Sequence, residues 1–240
     1  MTFDSIKLFI HSVFYRFHLV LPKKIIWRKL HCSNYHPEVS GIVQRIEASK
    51  QNPELYSIFK FYEKNLDMQI EINGKSVLEI GHGGVWFLAE VLESGGFPTG
   101  IEIANVINDR SNQALRELGY TDFSLHLGNG KDLTVVSGQR FDLIFANTVI
   151  QHLPTKVLKS YLKNIKELLD HDGIAILQVL ETKSNKSTKR LSRSDLFSVA
   201  YAKHEFIALV KQCGLKLVKF SDFEYWVGKT YWSIYVLNSN

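Results

Sequence analysis

Residues 77–86, "VLEIGHGGVW", put one carboxylate, Glu79, just ahead of a turn containing Gly81, His82, Gly83 and Gly84. Glycine lets a backbone come close to a ligand, and a helix that follows such a turn offers unpaired N–H groups to an anion. A second acid, Glu102, stands in "GIEIA". A carboxylate there can accept hydrogen bonds from both hydroxyls of a ribose, and Ile103 beside it can cover a flat base. For proton transfer, His152 in "FDLIFANTVIQHLP" is the first candidate base, because histidine titrates near neutral pH. His82 is the second. Tyr201 and His204, just after a polar basic stretch at 181–195, could reach in from a segment that covers the substrate. Each histidine reads equally well as a packing or backbone-bonding residue.

These residues need elements to carry them. From residue 75 onward, short apolar runs alternate with helical patterns: "SVLEIG", "VWFLAEVLESG", "PTGIEIA", "INDRSNQALRELG", "FSLHLG", "FDLIFAN", "LKSYLKNIKELLD" and "GIAILQVL". Runs apolar at every position are buried on both faces, and intervening helices make parallel crossovers. The pattern predicts a doubly wound α/β sheet. A helix over "AKHEFIALVKQCG" and two strands, "LKLVKFS" and "YWSIYVLN", complete it, joined by about ten residues from Asp222 to Tyr231. That connection permits a hairpin, which makes the last strand antiparallel. Glu79, Glu102 and Asn147 then end the first, second and fourth strands on the edge where such sheets bind ligands.

Before residue 72 the chain reads as a helical extension, 1–71, on a domain at 72–240. Ile6, Phe9, Ile10, Val13, Phe14, Phe17, Val20 and Leu21 make an amphipathic helix ending at Pro22. A second helical stretch, "SGIVQRIEASKQNPELYSIFKFYEKNL", breaks at Pro53. The first 30 residues hold six of the chain's 29 bases and one of its 24 acids, so the net charge of +5 lies wholly there. A balanced main domain argues against nucleic acid; the basic helix suits an anionic membrane surface or a lid. Cys32 and Cys213 are far apart, which points to a reducing, cytoplasmic setting without a disulfide framework. His31, Cys32 and His36 make a weak metal signal, and no metal is expected.

The strand endings resemble those of the class I S-adenosylmethionine-dependent methyltransferases, a Rossmann-like family, over roughly residues 72–240. The resemblance implies a seven-stranded sheet and S-adenosyl-L-methionine as cofactor. Glu79, Gly81 and Gly83 look like the first glycine-rich motif, around the methionine moiety, and Glu102 like the ribose-binding acid. "HLGNGKDL" is similar to the third-strand motif, where an acid meets the adenine amino group; Asn129 stands at that position, followed by Gly130. Asn147 would lie beside the methyl group. Val85 departs from the pattern, standing where many members have a third glycine, and Asn129 replaces the usual acid. A nicotinamide or flavin dinucleotide is disfavoured by Trp86, which takes the place of the last glycine in GxGxxG.

The implied activity is in-line methyl transfer to a small-molecule or glycan acceptor chosen by residues 1–72, the 181–203 segment and the turn before the last strand. Trp226, Tyr231 and Trp232 could line that pocket, although packing is the favoured reading for most of them. Lys156, Lys159, Lys163 and Lys166 read as a solvated helix face. A catalytically silent protein of the same fold, acting as a partner, would share all these features.

Overall fold

The computed structural model describes residues 38–190, 198–227 and 230–239. The basic N-terminal helix expected above, the His31, Cys32 and His36 group and the Trp226 side chain lie outside the described residues.

The second helical stretch forms three pieces: α1 (Val39–Gln51), α2 (Pro53–Tyr56) and α3 (Ile58–Leu66). Pro53 sits in the first turn of α2, where a missing N–H costs nothing. Ser57 caps α3 by accepting from the Lys60 N–H at 3.1 Å. Glu90, on the next helix of the chain, completes the cap from outside. Its carboxylate accepts from the N–H groups of Ile58 (2.8 Å) and Phe59 (3.1 Å) and from Ser57 Oγ (2.8 Å). A negative charge at a helix N-terminus is favourable, so Glu90 ties α3 to the helix that follows it in the chain.

The domain runs β1 (Ser76–Ile80), α4 (Trp86–Glu93), β2 (Phe97–Glu102), α5 (Asn105–Glu117), β3 (Ser124–Leu127), β4 (Phe141–Ala146), α6 (Thr155–Leu168) and β5 (Leu169–Thr182). Then follow β6 (Thr188–Arg190), β7 (Ser198–Ala202), α7 (Lys203–Gln212), β8 (Lys216–Val227) and β9 (Thr230–Asn238). Strands β3-β2-β1-β4-β5 are parallel neighbours in that order. The order of strand addition reverses between β1 and β4, and the crevice above that point is where such sheets take ligands. Strand β9 lies antiparallel between β5 and β8, from Ala175↔Leu237 to Thr182↔Thr230 on the β5 side.

The sheet therefore agrees with the fold expected from the sequence, with two differences. The polar 181–195 segment is not simply a loop: Thr188–Arg190 pairs antiparallel with Ser198–Ala200, and β7 pairs parallel with the end of β5 through Glu181↔Tyr201 and Thr182↔Ala202. "SVAYA" is buried at every position, but five small and aromatic residues carry too short a pattern to separate a strand from a helix start. In addition, β8 and β9 extend into the expected ten-residue connection, pairing as far as Val227↔Thr230.

Apolar side chains fill both faces of the sheet. On one, Leu158, Leu162 and Ile165 of α6 pack over Leu78, Ile144 and Leu177, while Lys156, Lys159, Lys163 and Lys166 face outward. On the other, Phe87 stacks on Phe145 at 4.0 Å and Tyr62 meets Phe145 edge-on at 4.7 Å. Aromatic pairs of this kind add about 0.5–1.5 kcal/mol each beyond area burial. Helix α3 is thus part of the core, and its tyrosine arrives at the C-terminal edge of β4.

Candidate active site

The glycine turn leaves β1 with Gly81 at φ +73° and Gly83 at φ +49°. A Cβ on Gly81 would stand 2.5 Å from Val149 Cγ2, and one on Gly84 2.8 Å from the Trp86 ring. The first glycine therefore lets the β1 and β4 ends approach, and Gly84 makes room for Trp86. Val85 takes the left-handed conformation at φ 54°. A β-branched residue there is strained, so the backbone need that glycine usually meets persists at this position.

Glu102 closes the turn from the end of β2. Its Oε1 accepts from the N–H groups of Ile103 (2.7 Å) and Ala104 (2.9 Å), and Oε2 accepts a longer bond from Gly83 N–H (3.3 Å). A carboxylate offers about four lone-pair sites, so the protein takes three and Oε2 keeps one. In this arrangement Glu102 Oε2 is the oxygen with capacity left for a ligand. Glu79, at the end of β1, is buried and its Oε2 has no partner. Burial, and then the charges of Glu102 and Glu90, push its carboxyl well above the usual range.

Across the crevice, Asn147 follows β4. Its Oδ1 accepts from Tyr62 of α3 at 2.9 Å, and burial together with the Glu79 charge keeps that phenol protonated. Thr148 next to it has φ 55°, held by donation of its N–H to Gln178 Oε1 at 2.9 Å. The 3-10 turn Ile150–His152 follows. Gln151 Nε2 donates to Thr148 O at 2.7 Å and lies 3.2 Å from His152 Nε2. An amide N–H facing that nitrogen makes it an acceptor, which puts the His152 proton on Nδ1.

These walls enclose a cavity of about 410 Å³, lined among others by Glu79, Gly81, His82, Gly83, Glu102, Ile103, Gly130, Asn147 and His152. The volume lies in the range of small-ligand sites. Two expected residues are not brought to it. Asn129 is exposed, and its Oδ1 accepts from the backbone N–H groups of Lys131 (2.7 Å) and Asp132 (3.1 Å). It stabilises its own turn, and Gly128 and Gly130 form the wall there. Tyr201 is buried in β7 against Phe206 at 5.6 Å, away from the lining, and burial raises its phenol far above the ordinary value. His82 does line the cavity, but both its nitrogens are engaged, Nδ1 with Gly83 O (3.1 Å) and Nε2 with Asn108 Oδ1 (3.2 Å). Burial lowers its pKa, and as a neutral ring it can donate to only one of these two oxygens; with both nitrogens facing protein atoms, it braces the turn. Gly100 is needed beneath it, because a Cβ there would sit 2.7 Å from the His82 ring.

Sequence reasoning missed Tyr62, Ile58, Gln151, Tyr161 and Leu180 as lining or bracing residues, and Trp232 turns out to belong to the lining. Tyr161 lies on the buried face of α6 with Leu158, Leu162 and Ile165. Only Gln151 carried a local signal, as the neighbour of a candidate base. Among the described residues, no group of three or more His, Cys, Asp or Glu side chains is placed to hold a metal ion.

Residues 77–173, from β1 into β5, match the family model described as "Methyltransferase domain". This segment is similar to the methyltransferase domains that the model describes. It contains the glycine turn, Glu102, Asn147 and His152. A curated relative of the methyltransferase domain, protein-L-isoaspartate O-methyltransferase 2 of Rhodopseudomonas palustris (strain HaA2), is 30% identical over 122 residues, 51% of this chain and 52% of that protein. The chain thus spans about half the length of that relative. Solved structures share the fold at lower identity. One is 1,6-didemethyltoxoflavin-N1-methyltransferase of Burkholderia thailandensis with bound 1,6-didemethyltoxoflavin and S-adenosylhomocysteine (TM-score 0.58, 15% identity, 82% of this chain and 88% of that one). Another is the glycopeptide N-methyltransferase MtfA complexed with S-adenosylmethionine (0.54, 13%, 70% and 82%). A methyltransferase of Methanosarcina mazei matches at TM-score 0.60 and 15% identity, over 75% and 97%.

Proposed function

We propose that the protein transfers a methyl group from S-adenosylmethionine to a small-molecule or glycan acceptor held in this cavity. The observation that carries the reading is a pair of buried carboxyl groups on one cavity: Glu79 with an unpartnered oxygen and, among the described residues, no counter-charge, and Glu102 with one lone pair left over. A ligand cationic at one end and bearing hydroxyls further along complements both. S-adenosylmethionine is such a molecule, and the residues fit it. Glu79 and the 81–84 turn would hold the methionine part, Glu102 Oε2 a ribose hydroxyl, and Ile103 with Gly128 and Gly130 the base.

When bound, S-adenosylmethionine supplies a methyl group already activated on a positively charged sulfur. The chain then has to orient an acceptor in line and keep water out. Ile58, Phe87, Leu153 and Leu180 provide the dry walls, and Tyr62 holds Asn147 beside the acceptor space. For a hydroxyl acceptor, His152 Nε2 is the base: its lone pair faces a long contact with Gln151 that an acceptor O–H can displace. Amine acceptors need less, since their proton can pass to solvent.

The basic segment 1–30 serves this reading as a lid or as a peripheral contact with an anionic membrane in the cytoplasm. No helix among the described residues is long and apolar enough to cross a membrane. Mass spectrometry for bound S-adenosylmethionine or S-adenosylhomocysteine, followed by an isotope-labelled methyl screen over alcohols, amines, glycans and isoaspartyl peptides, tests the proposal. Transfer to a small molecule or glycan supports it. Donor binding without transfer to any class favours a silent partner protein, and failure to bind the donor removes the proposal altogether.

A further inference from the structure

Gln151 is 4% exposed, and its amide is held at one end only. Nε2 donates to Thr148 O at 2.7 Å and meets His152 Nε2 at 3.2 Å. The reversed amide would set two oxygens, Oε1 and the Thr148 carbonyl, against each other, so the orientation is decided by the backbone. That backbone is itself pinned, because Gln178 on β5 accepts the Thr148 N–H at 2.9 Å and holds Thr148 at φ 55°. Strained, over-determined backbone of this kind collects at functional sites. The outcome is a Gln151 Oε1 that is buried and has no hydrogen-bond partner, on a residue lining the cavity beside Asn147 and His152. Buried polar atoms in native structures are almost always paired. An acceptor locked in place without a donor is a site prepared for one.

We infer that Gln151 selects the methyl acceptor, its Oε1 accepting a hydrogen bond from an N–H or O–H carried by that molecule. The inference rests on the acceptor lying in this cavity, and it narrows the substrate class. Favoured acceptors are compact, largely apolar molecules with a hydrogen-bond donor close to the methylated atom; molecules with carbonyl or ether oxygens alone are rejected. Sites built to bond a donor discriminate strongly against analogues that lack it, because the buried group is then left unpaired. The proposed base, His152, lies on the same short turn, so one rigid element would both read the acceptor and take up its proton.

The test uses matched probe pairs, phenol against anisole and indole against N-methylindole, titrated by ligand-observed NMR into the full-length protein alone and with S-adenosylhomocysteine. The wild-type protein is expected to bind the donor-bearing member of each pair about tenfold more tightly. In Gln151→Leu and Gln151→Met that ratio should fall at least about threefold, His152 Nε2 accounting for any remainder, with S-adenosylhomocysteine affinity unchanged. The ratio is insensitive to the folded fraction, since partial unfolding lowers both affinities alike. No donor preference in the wild type, or an equal preference in both variants, overturns the role of Gln151. If S-adenosylhomocysteine fails to bind while the probe ratio behaves as expected, the methyl-donor reading falls and the donor-reading site stands.

Discussion

Replacing Glu102 separates the two tasks its oxygens perform. Oε1 accepts two backbone N–H groups at 2.7 and 2.9 Å, and both belong to the buried passage from β2 into α5. Hydrogen bonds to a charged group contribute about 1.5–3 kcal/mol each, so Glu102→Ala should cost about 3–6 kcal/mol of stability. That is a large share of a total of about 5–15 kcal/mol, and at about 2–4 °C per kcal/mol it lowers Tm by at least ~6 °C. Glu102→Gln keeps an oxygen for both N–H groups. It presents an NH2 where Oε2 stood, facing the Gly83 N–H and the ribose hydroxyl, both donors toward it. Losing that one charge-assisted bond should weaken S-adenosylmethionine binding by about 10- to 100-fold, at 1.4 kcal/mol per factor of ten. Differential scanning fluorimetry and calorimetry read the two effects separately. Unchanged cofactor affinity in Glu102→Gln would refute the ribose assignment, and an unchanged Tm in Glu102→Ala would refute the clamp.

Glu79→Gln should raise Tm at neutral pH while weakening S-adenosylmethionine binding. The folded protein holds the Glu79 proton more tightly than the unfolded chain, so wild-type stability declines as pH rises from the ordinary carboxylate value toward the raised one. Over the same window cation affinity should rise, and a binding titration against pH that is flat in the wild type contradicts this. Tyr62→Phe keeps the ring but leaves Asn147 Oδ1 unpaired, which predicts a loss of about 1–3 kcal/mol and slower turnover with little change in cofactor affinity. Weaker cofactor binding with normal turnover would place Tyr62 elsewhere in the mechanism. His152→Ala should slow transfer to a hydroxyl acceptor by about a hundredfold and abolish the acid limb of the pH–rate profile; a wild-type profile in the variant reduces His152 to packing.

What could be read from the sequence was what lies close together along it. The glycine turn and Glu102 follow from short patterns at strand ends, and the sheet from continuous apolar runs. Val85 shows the limit of such patterns, since it keeps the left-handed backbone without the residue type that announces it. Asn129 was placed by motif position, yet an asparagine two residues ahead of an available N–H tends to satisfy its own turn, and it does so here with Lys131. Tyr62 could not be found locally, because its partner Asn147 is 85 residues away and only the packing of α3 brings them together. The unpaired Gln151 oxygen depends on a three-residue relay from β5 that no local spacing encodes.

The central claim is that this cavity binds a methyl donor, and calorimetric titration of S-adenosylmethionine into the full-length protein tests it most directly. The account predicts one-to-one binding, competed by S-adenosylhomocysteine and weakened in Glu102→Gln, with no comparable affinity for a nicotinamide dinucleotide. Absence of binding, or binding indifferent to Glu102, would contradict it.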